Sequence, residues 1–212
     1  MEKRYTLLEP TPQVEHRTRR SRFIARTLPA TCQEEVREIL RQVRELMPDA
    51  THICYAYRLM AQPGELQEFS TDAGEPSGSV GRPILNVLRQ TGLVDVIACV
   101  ARYFGGSKLG IPGLKEAYTR AVQMSLDRVK PTPWVAMVRV RLVLPYSLVD
   151  HVKEEVRRVA GTILNEEYAK AAALDLKVPQ KEVRDFVRRL RDRSRGEIQI
   201  SSDTIDFESE HA

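Results

Sequence analysis

The sequence predicts a soluble α+β protein that folds as two domains. Strand and helix patterns alternate along the chain, a proline-containing segment near residue 131 separates a helical pattern from a strand pattern, and the segment after it has the order β-α-β-β-α-β. A length of 212 residues suits one large domain or two small ones. With 42% hydrophobic and 29% charged residues, the composition excludes a low-complexity or collagen-like chain.

Residues 1–130 form the predicted first domain, in which strands and helices pack in layers. The predicted strands are 23–28, 53–60, 66–70 and 93–104. The predicted helices are one that follows a capping box of Thr31 and Glu34, one that begins near Pro83, and one over 113–129. Strand 93–104 is long and apolar, so we expect it at the centre of the sheet. A turn at Pro63 and Gly64 leads from strand 53–60 to strand 66–70.

A stiff connector over residues 130–133 marks the domain boundary, because proline fixes φ and disfavours helix in the residue before it. The second domain is predicted over 134–200, with residues 201–212 as an acidic tail. Its predicted elements are a strand over 134–144, a helix from Ser147 with Asp150 in a capping box and Gly161 as its stop, strands 162–168 and 172–178, a helix after Pro179, and a strand over 197–200. This order is ferredoxin-like.

The excess positive charge lies entirely in the first domain. Residues 1–130 hold 19 Lys and Arg against 15 Asp and Glu, whereas residues 131–212 hold 14 against 14. Residues 17–22 carry four arginines, a minimal footprint for nucleic-acid phosphates. A solvated edge strand or arm explains the same run equally well. The net charge of +4 therefore permits polyanion binding without requiring it.

Several classes of protein are excluded by missing patterns. No apolar stretch has the roughly 20 residues of a membrane span, and the N-terminus lacks the apolar core of a signal peptide, so we expect a cytoplasmic protein without membrane contact. Cys32, Cys54 and Cys99 are odd in number and form no CxxC pair, which excludes a disulfide scaffold or zinc site and favours buried thiols. Walker, GxSxG, GxGxxG and HExxH motifs are absent, so we expect no metal and no cofactor.

Two glycine-containing loops, 70–83 and 102–110, each precede a predicted helix. Helix N-termini expose unpaired N–H groups and favour anions, so these loops are candidate anion or nucleic-acid sites. Tight turns and close packing explain the same glycines without a ligand. The candidate anion-binding residues are Arg19, Arg20, Arg22, Ser77, Ser79, Arg82, Arg102, Ser107 and Lys108.

His52 is the best candidate for a titrating group, because its ordinary pKa lies near neutrality. With Asp72 and Glu75 it would supply the acid–base groups of a hydrolase if the three converged in one cleft. A histidine at the start of a strand is also a common structural residue. No catalytic residue is assigned on this basis.

The two loops and the strand after His52 carry a resemblance to a known family. The blocks HICYAYR from residue 52, DAGEPSGSVGRPIL from residue 72 and RYFGGSKLG from residue 102 resemble the signatures of the IMPACT/YigZ family. The resemblance implies a first domain that is a β-α sandwich of a ribosomal-protein type, a ferredoxin-like second domain, and a pair similar to the last two domains of elongation factor G. Fold similarity does not establish function.

The family resemblance also implies a class of function. Eukaryotic relatives regulate translation by binding a protein activator of an initiation-factor kinase, and bacterial relatives are linked to nucleic-acid binding without an established reaction. We therefore expect a non-catalytic regulator of translation that associates with RNA or the ribosome. A protein-binding module, with Tyr103 and Phe104 as candidate contact residues and a partner in translation control, and a hydrolase built on His52 are the alternatives.

Overall fold

The computed structural model describes residues 4–62, 65–194 and 196–202. The chain divides into two compact units between Trp134 and Val135. The turn expected at Pro63 and Gly64 and most of the expected acidic tail lie outside the described residues. No helix in the described part of the chain is long and apolar enough to span a membrane.

The first unit is built on a five-stranded antiparallel sheet. The unit as a whole has seven strands in its described residues: β1 (Tyr5–Thr6), β2 (Val14–Thr18), β3 (Ser21–Pro29), β4 (His52–Gln62), β5 (Glu65–Thr71), β6 (Val96–Tyr103) and β7 (Thr132–Pro133). Its helices are α1 (Gln33–Leu46), α2 (Gly81–Gln90) and α3 (Gly110–Leu126). The sheet order is β2-β3-β6-β4-β5, while β1 pairs with β7 in a separate short ladder. The expected central position of the long apolar strand is confirmed, because β6 lies third of the five.

Helices cover both faces of this sheet, because the inner strands carry apolar side chains on both of their faces. Helices α2 and α3 pack against the face that carries Phe23, Ala56 and Val100. Helix α1 packs against the opposite face, which carries Leu59 and Ile97. The predicted β-α sandwich therefore has three layers, with a core on each side of the sheet.

The second unit has the β-α-β-β-α-β order that the sequence predicts. Its elements are β8 (Met137–Leu144), α4 (Val149–Arg158), β9 (Thr162–Tyr168), β10 (Ala172–Pro179), α5 (Val183–Ser194) and β11 (Gln199–Ser202). The antiparallel sheet has the order β11-β8-β10-β9. Its buried face carries Leu142 and Leu174, which share a core with Val152 of α4 and Phe186 of α5.

The ends of several elements differ from the prediction for identifiable reasons. Helix α1 begins at Gln33, so Glu35 rather than Glu34 accepts from the Thr31 N–H, at 2.6 Å. Helix α3 begins at Gly110 rather than 113, because proline is tolerated in a first helical turn and Pro112 does not delay it.

The second unit shows similar shifts. After α4, Ala160 rather than Gly161 adopts the left-handed conformation, with φ of 54°. Asp150 makes no capping bond, because one turn of 3-10 helix precedes α4. Its first strand begins at Met137 rather than 134, and its last is Gln199–Ser202 rather than 197–200. The predicted connector also differs, since Thr132 and Pro133 form β7.

Candidate nucleic-acid interface

One end of the five-stranded sheet gathers every candidate residue that the sequence indicates. At this end, called the loop end below, β2, β5 and β6 finish while β3 and β4 begin. The register shows it directly, because Arg102 at the end of β6 pairs with His52 on one side and with Phe23 on the other. The residues gathered there are Arg19, Arg20 and Arg22 in the β2–β3 hairpin, His52 at the start of β4, Asp72, Glu75, Ser77, Ser79 and Arg82 in the segment that enters α2, and Arg102, Ser107 and Lys108 in the segment from β6 to α3.

The carboxylate of Asp72 occupies the N-terminus of α2. It accepts hydrogen bonds from the backbone N–H groups of Gly78 at 2.7 Å, Val80 at 2.8 Å and Gly81 at 2.8 Å. Partial burial opposes ionisation of this carboxyl, but the three donors outweigh it and hold the pKa of Asp72 below its ordinary value. The anion that this helix terminus favours is therefore supplied by the chain itself.

Glu75 and Arg102 form a buried ion pair beneath the same loop. Arg102 Nη1 donates to Glu75 Oε1 at 2.6 Å, and their side chains are only 6% and 4% exposed. The Tyr118 hydroxyl donates to the same oxygen at 3.0 Å. Arg102 and Glu75 thus satisfy each other inside the unit, and neither is presented to solvent as a free charge.

Tyr118 and Cys54 extend this buried network. Cys54 Sγ lies 3.4 Å from the Tyr118 hydroxyl and 3.0 Å from the carbonyl oxygen of Asp72. Burial raises the pKa of Cys54 to about 12, so its thiol stays protonated and unreactive near neutral pH. The sequence places Tyr118 only on an apolar helix stripe, although a buried tyrosine hydroxyl needs a polar partner. That requirement is the signal that points to this part of the network.

The imidazole of His52 contacts backbone rather than a carboxylate. Its Nδ1 lies 2.9 Å from the carbonyl oxygen of Ala73, and the backbone at Gly74 packs so closely that a Cβ there would lie 3.0 Å from Nδ1. Within the described residues no hydrogen bond joins His52 to Asp72 or Glu75. Because both carboxylates are already engaged, this arrangement counts against the acid–base role that a hydrolase requires.

The hairpin between β2 and β3 packs onto the 104–109 loop. Arg19 adopts a left-handed φ of 53° in its two-residue turn, and its Nη1 donates to the carbonyl oxygen of Lys108 at 2.8 Å. At Gly105 a Cβ would lie 1.9 Å from the carbonyl oxygen of Arg20. The close approach that glycine permits there brings Arg19, Arg20 and Lys108 together, and these three residues are called the cationic cluster below.

Replacing Gly105 with alanine is expected to destabilise the first unit by about 1–3 kcal/mol, because the new methyl group overlaps backbone that cannot move freely. Urea unfolding measured by the fluorescence of Trp134 reports on this unit. The matched control is Gly113→Ala, whose Cβ would meet only the Leu109 side chain, at 3.2 Å. An unchanged unfolding midpoint for Gly105→Ala would show that the hairpin does not seat on this loop.

The three residues of the cationic cluster are exposed to solvent. Within the described residues no acidic side chain lies within ion-pair distance of Arg19, Arg20 or Lys108. Arg22 differs, since Glu15 neutralises it at 2.9 Å. Of the other acidic groups gathered at this end, Asp72 is held by backbone donors and Glu75 pairs with Arg102. The loop end therefore presents net positive charge to solvent.

The remaining candidate residues divide by exposure. Arg82 and Ser77 are exposed, Ser107 is half-buried, and Ser79 is buried at 2% exposure. Arg102 is buried as well, so Ser79 and Arg102 contribute to the architecture of the loop end and not to its surface. The exposed residues are available to a ligand.

The chain matches two family models. Residues 19–126 match the Impact N-terminal domain, and residues 142–197 match a domain of unknown function. A relative in Escherichia coli K12, the IMPACT family member YigZ, is 30% identical over 182 residues, which cover 86% of this chain and 89% of that protein. A relative in Thermus thermophilus, the IMPACT family member in the pol 5′ region, is 42% identical over 144 residues, which cover 68% and 72%.

A solved structure is similar over nearly the whole chain. A crystal structure described as that of a hypothetical protein is 29% identical, has a TM-score of 0.71, and is matched over 98% of this chain and 100% of its own. The motif blocks at residues 52, 72 and 102 all lie within the matched Impact N-terminal domain. The chain belongs to the IMPACT family.

Proposed function

We propose that this protein is a non-catalytic regulator of translation that binds RNA, free or in the ribosome, through the loop end of its first unit. The observation that carries the proposal is the cationic cluster: Arg19, Arg20 and Lys108 are exposed on two loops that pack against each other, and no carboxylate of the described residues pairs with them. Phosphate oxygens are suitable ligands for such a cluster, because arginine and lysine replace the counterions that surround a nucleic-acid backbone.

The internal chemistry of the loop end supports a binding role over catalysis. Asp72 is used to cap α2, Glu75 is used to neutralise Arg102, and the Cys54 thiol is protonated. These groups shape the surface, and the cations on that surface supply the electrostatic attraction.

Family membership favours translation as the process. Protein IMPACT of Bos taurus is 32% identical over 113 residues, which cover 50% of this chain and 35% of that protein. The same proposal includes three expectations: the regulatory role of eukaryotic members, action in the cytoplasm, and a likeness to the last two domains of elongation factor G. Such a likeness would suit a protein that contacts ribosomal RNA.

The test is the salt dependence of RNA binding. A variant with Arg19→Gln, Arg20→Gln and Lys108→Gln is expected to bind a labelled single strand of about 12 nucleotides more weakly than the wild type. Because each lost phosphate contact removes about 0.7 from the slope of log affinity against log salt, three lost contacts lower that slope by about 2. Fluorescence anisotropy at several salt concentrations measures both quantities.

The matched control removes three exposed arginines from helices α4 and α5 of the second unit, with Arg157→Gln, Arg191→Gln and Arg193→Gln. It changes the net charge by the same amount and is expected to keep the wild-type slope. An equal loss in the two variants would indicate non-specific attraction and contradict a site at the loop end. Capture of a partner protein that survives nuclease treatment would favour the protein-binding alternative.

A further inference from the structure

Phe104 is an exposed ring with a fixed position at the loop end. It is 47% exposed, and the buried guanidinium of Arg102 lies over its ring, with Cζ 5.3 Å from the centroid. Its backbone N–H donates to the Thr51 hydroxyl at 3.1 Å. An aromatic side chain supported from inside the unit but open to solvent presents a flat apolar surface that the fold itself does not use.

Arg102 is well suited to support this ring. Its guanidinium is held by Glu75 and also lies over Phe23, with Cζ 5.6 Å from that centroid. Its Nε is buried and has no hydrogen-bond partner among the described residues, and the rings of Phe23 and Phe104 both lie within cation–π distance of the guanidinium. The ring of Phe104 is thereby held against a rigid charged plane and not against a mobile side chain.

The cationic cluster lies beside this ring. Phe104 immediately precedes Gly105, the residue that packs against the backbone of Arg20. The same loop continues to Lys108, whose carbonyl oxygen accepts from Arg19. One short surface therefore combines an aromatic face with cations, which are the two features that proteins use to bind single-stranded nucleic acids.

We propose that Phe104 stacks on an unpaired base of single-stranded RNA whose flanking phosphates contact Arg19, Arg20 and Lys108. This inference rests on the proposed function and adds the class of RNA. A duplex hides the faces of its bases, and an acidic peptide has carboxylates for the cations but no flat π-surface for the ring. A single strand is complementary to both features.

The experiment compares three probes of about 12 nucleotides or base pairs: a labelled single-stranded RNA, a strand of the same length without bases, and a duplex RNA. The wild type is expected to bind the base-bearing strand roughly 5- to 100-fold more tightly than the abasic strand. Phe104→Leu, which keeps apolar bulk but lacks the π-face, is expected to abolish that preference. Phe104→Tyr is expected to retain it.

The control is Phe69→Leu, because Phe69 is 44% exposed but lies in β5 against Tyr57. It is expected to keep the wild-type preference. Equal binding of all three probes by the wild type would overturn stacking, and so would an unchanged preference in Phe104→Leu. The salt slope of the Arg19, Arg20 and Lys108 variant would still test the proposed function separately. An equal loss in Phe69→Leu, or Phe104-dependent binding of polyglutamate, would also overturn it. Failure of the wild type to bind any RNA probe would overturn both proposals.

Discussion

Replacing Arg102 with methionine is expected to lower the free energy of unfolding of the first unit by about 3–5 kcal/mol. The substitution leaves Glu75 as a buried carboxylate without its cation, since the Glu75 side chain is only 4% exposed. The Tyr118 hydroxyl remains as a donor but carries no charge. The aromatic rings of Phe23 and Phe104 also lose the guanidinium that lies over them. Urea unfolding followed by Trp134 fluorescence gives the magnitude, because Trp134 is the single tryptophan of the chain and belongs to the first unit.

A double variant separates the charge from the packing. In Glu75→Gln/Arg102→Met both charges of this buried pair are removed together, and Tyr118 is still able to donate to the amide oxygen. Much of the stability lost in Arg102→Met is therefore expected to return. A loss of less than about 1 kcal/mol in Arg102→Met would be typical of a solvated surface pair, and it would contradict the buried network at the loop end.

Replacing Asp72 with alanine is expected to cost about 2–4 kcal/mol. One part is the loss of a helix cap, and the other is the desolvation of N–H donors at Gly78, Val80 and Gly81 that no longer have an acceptor. Asp72→Asn retains one acceptor oxygen but no charge, so an intermediate loss is expected. A loss below about 0.5 kcal/mol for Asp72→Ala would show that solvent replaces the carboxylate at this terminus.

The difference in the free energy of unfolding between the wild type and Asp72→Ala depends on pH, and the pKa of Asp72 determines how. The folded-state pKa is lower than the unfolded-state pKa, so ionised Asp72 contributes stability at pH values above the unfolded pKa, near 3.8. That contribution is lost as the pH falls through the folded-state pKa. The stability difference between wild type and Asp72→Ala is therefore constant near neutral pH and decreases below about pH 4, which urea titrations at several pH values measure.

The elements that the sequence predicts well are those with strong periodicity. Strands β6, β8 and β10 have the apolar runs or period-two alternation that are typical of buried strands. Strand β2 reads VEHRT, in which Val14 alone is buried. It is an edge strand that tertiary pairing with β3 stabilises, so its local pattern carries little signal.

The site is less predictable than the fold because residue type does not reveal burial. Arg102 and Lys108 are both cations near one glycine loop in the sequence, yet Arg102 is 5% exposed and Lys108 lies at the surface. The sequence of β6 does not show that Arg102 is buried, because the strand has apolar residues on both faces and no apolar–polar alternation. Asp72 precedes α2 by nine residues, which is not a capping spacing, and only the folded loop brings it to the N–H groups of that helix.

An NMR titration of the isotopically labelled chain with a single-stranded RNA of about 12 nucleotides locates the bound surface directly. Saturable amide shifts are expected at Arg19, Arg20 and residues 104–108, with the amides of α5 unmoved. Shifts concentrated in the second unit, or an even spread over both units without saturation, would contradict a binding surface at the loop end.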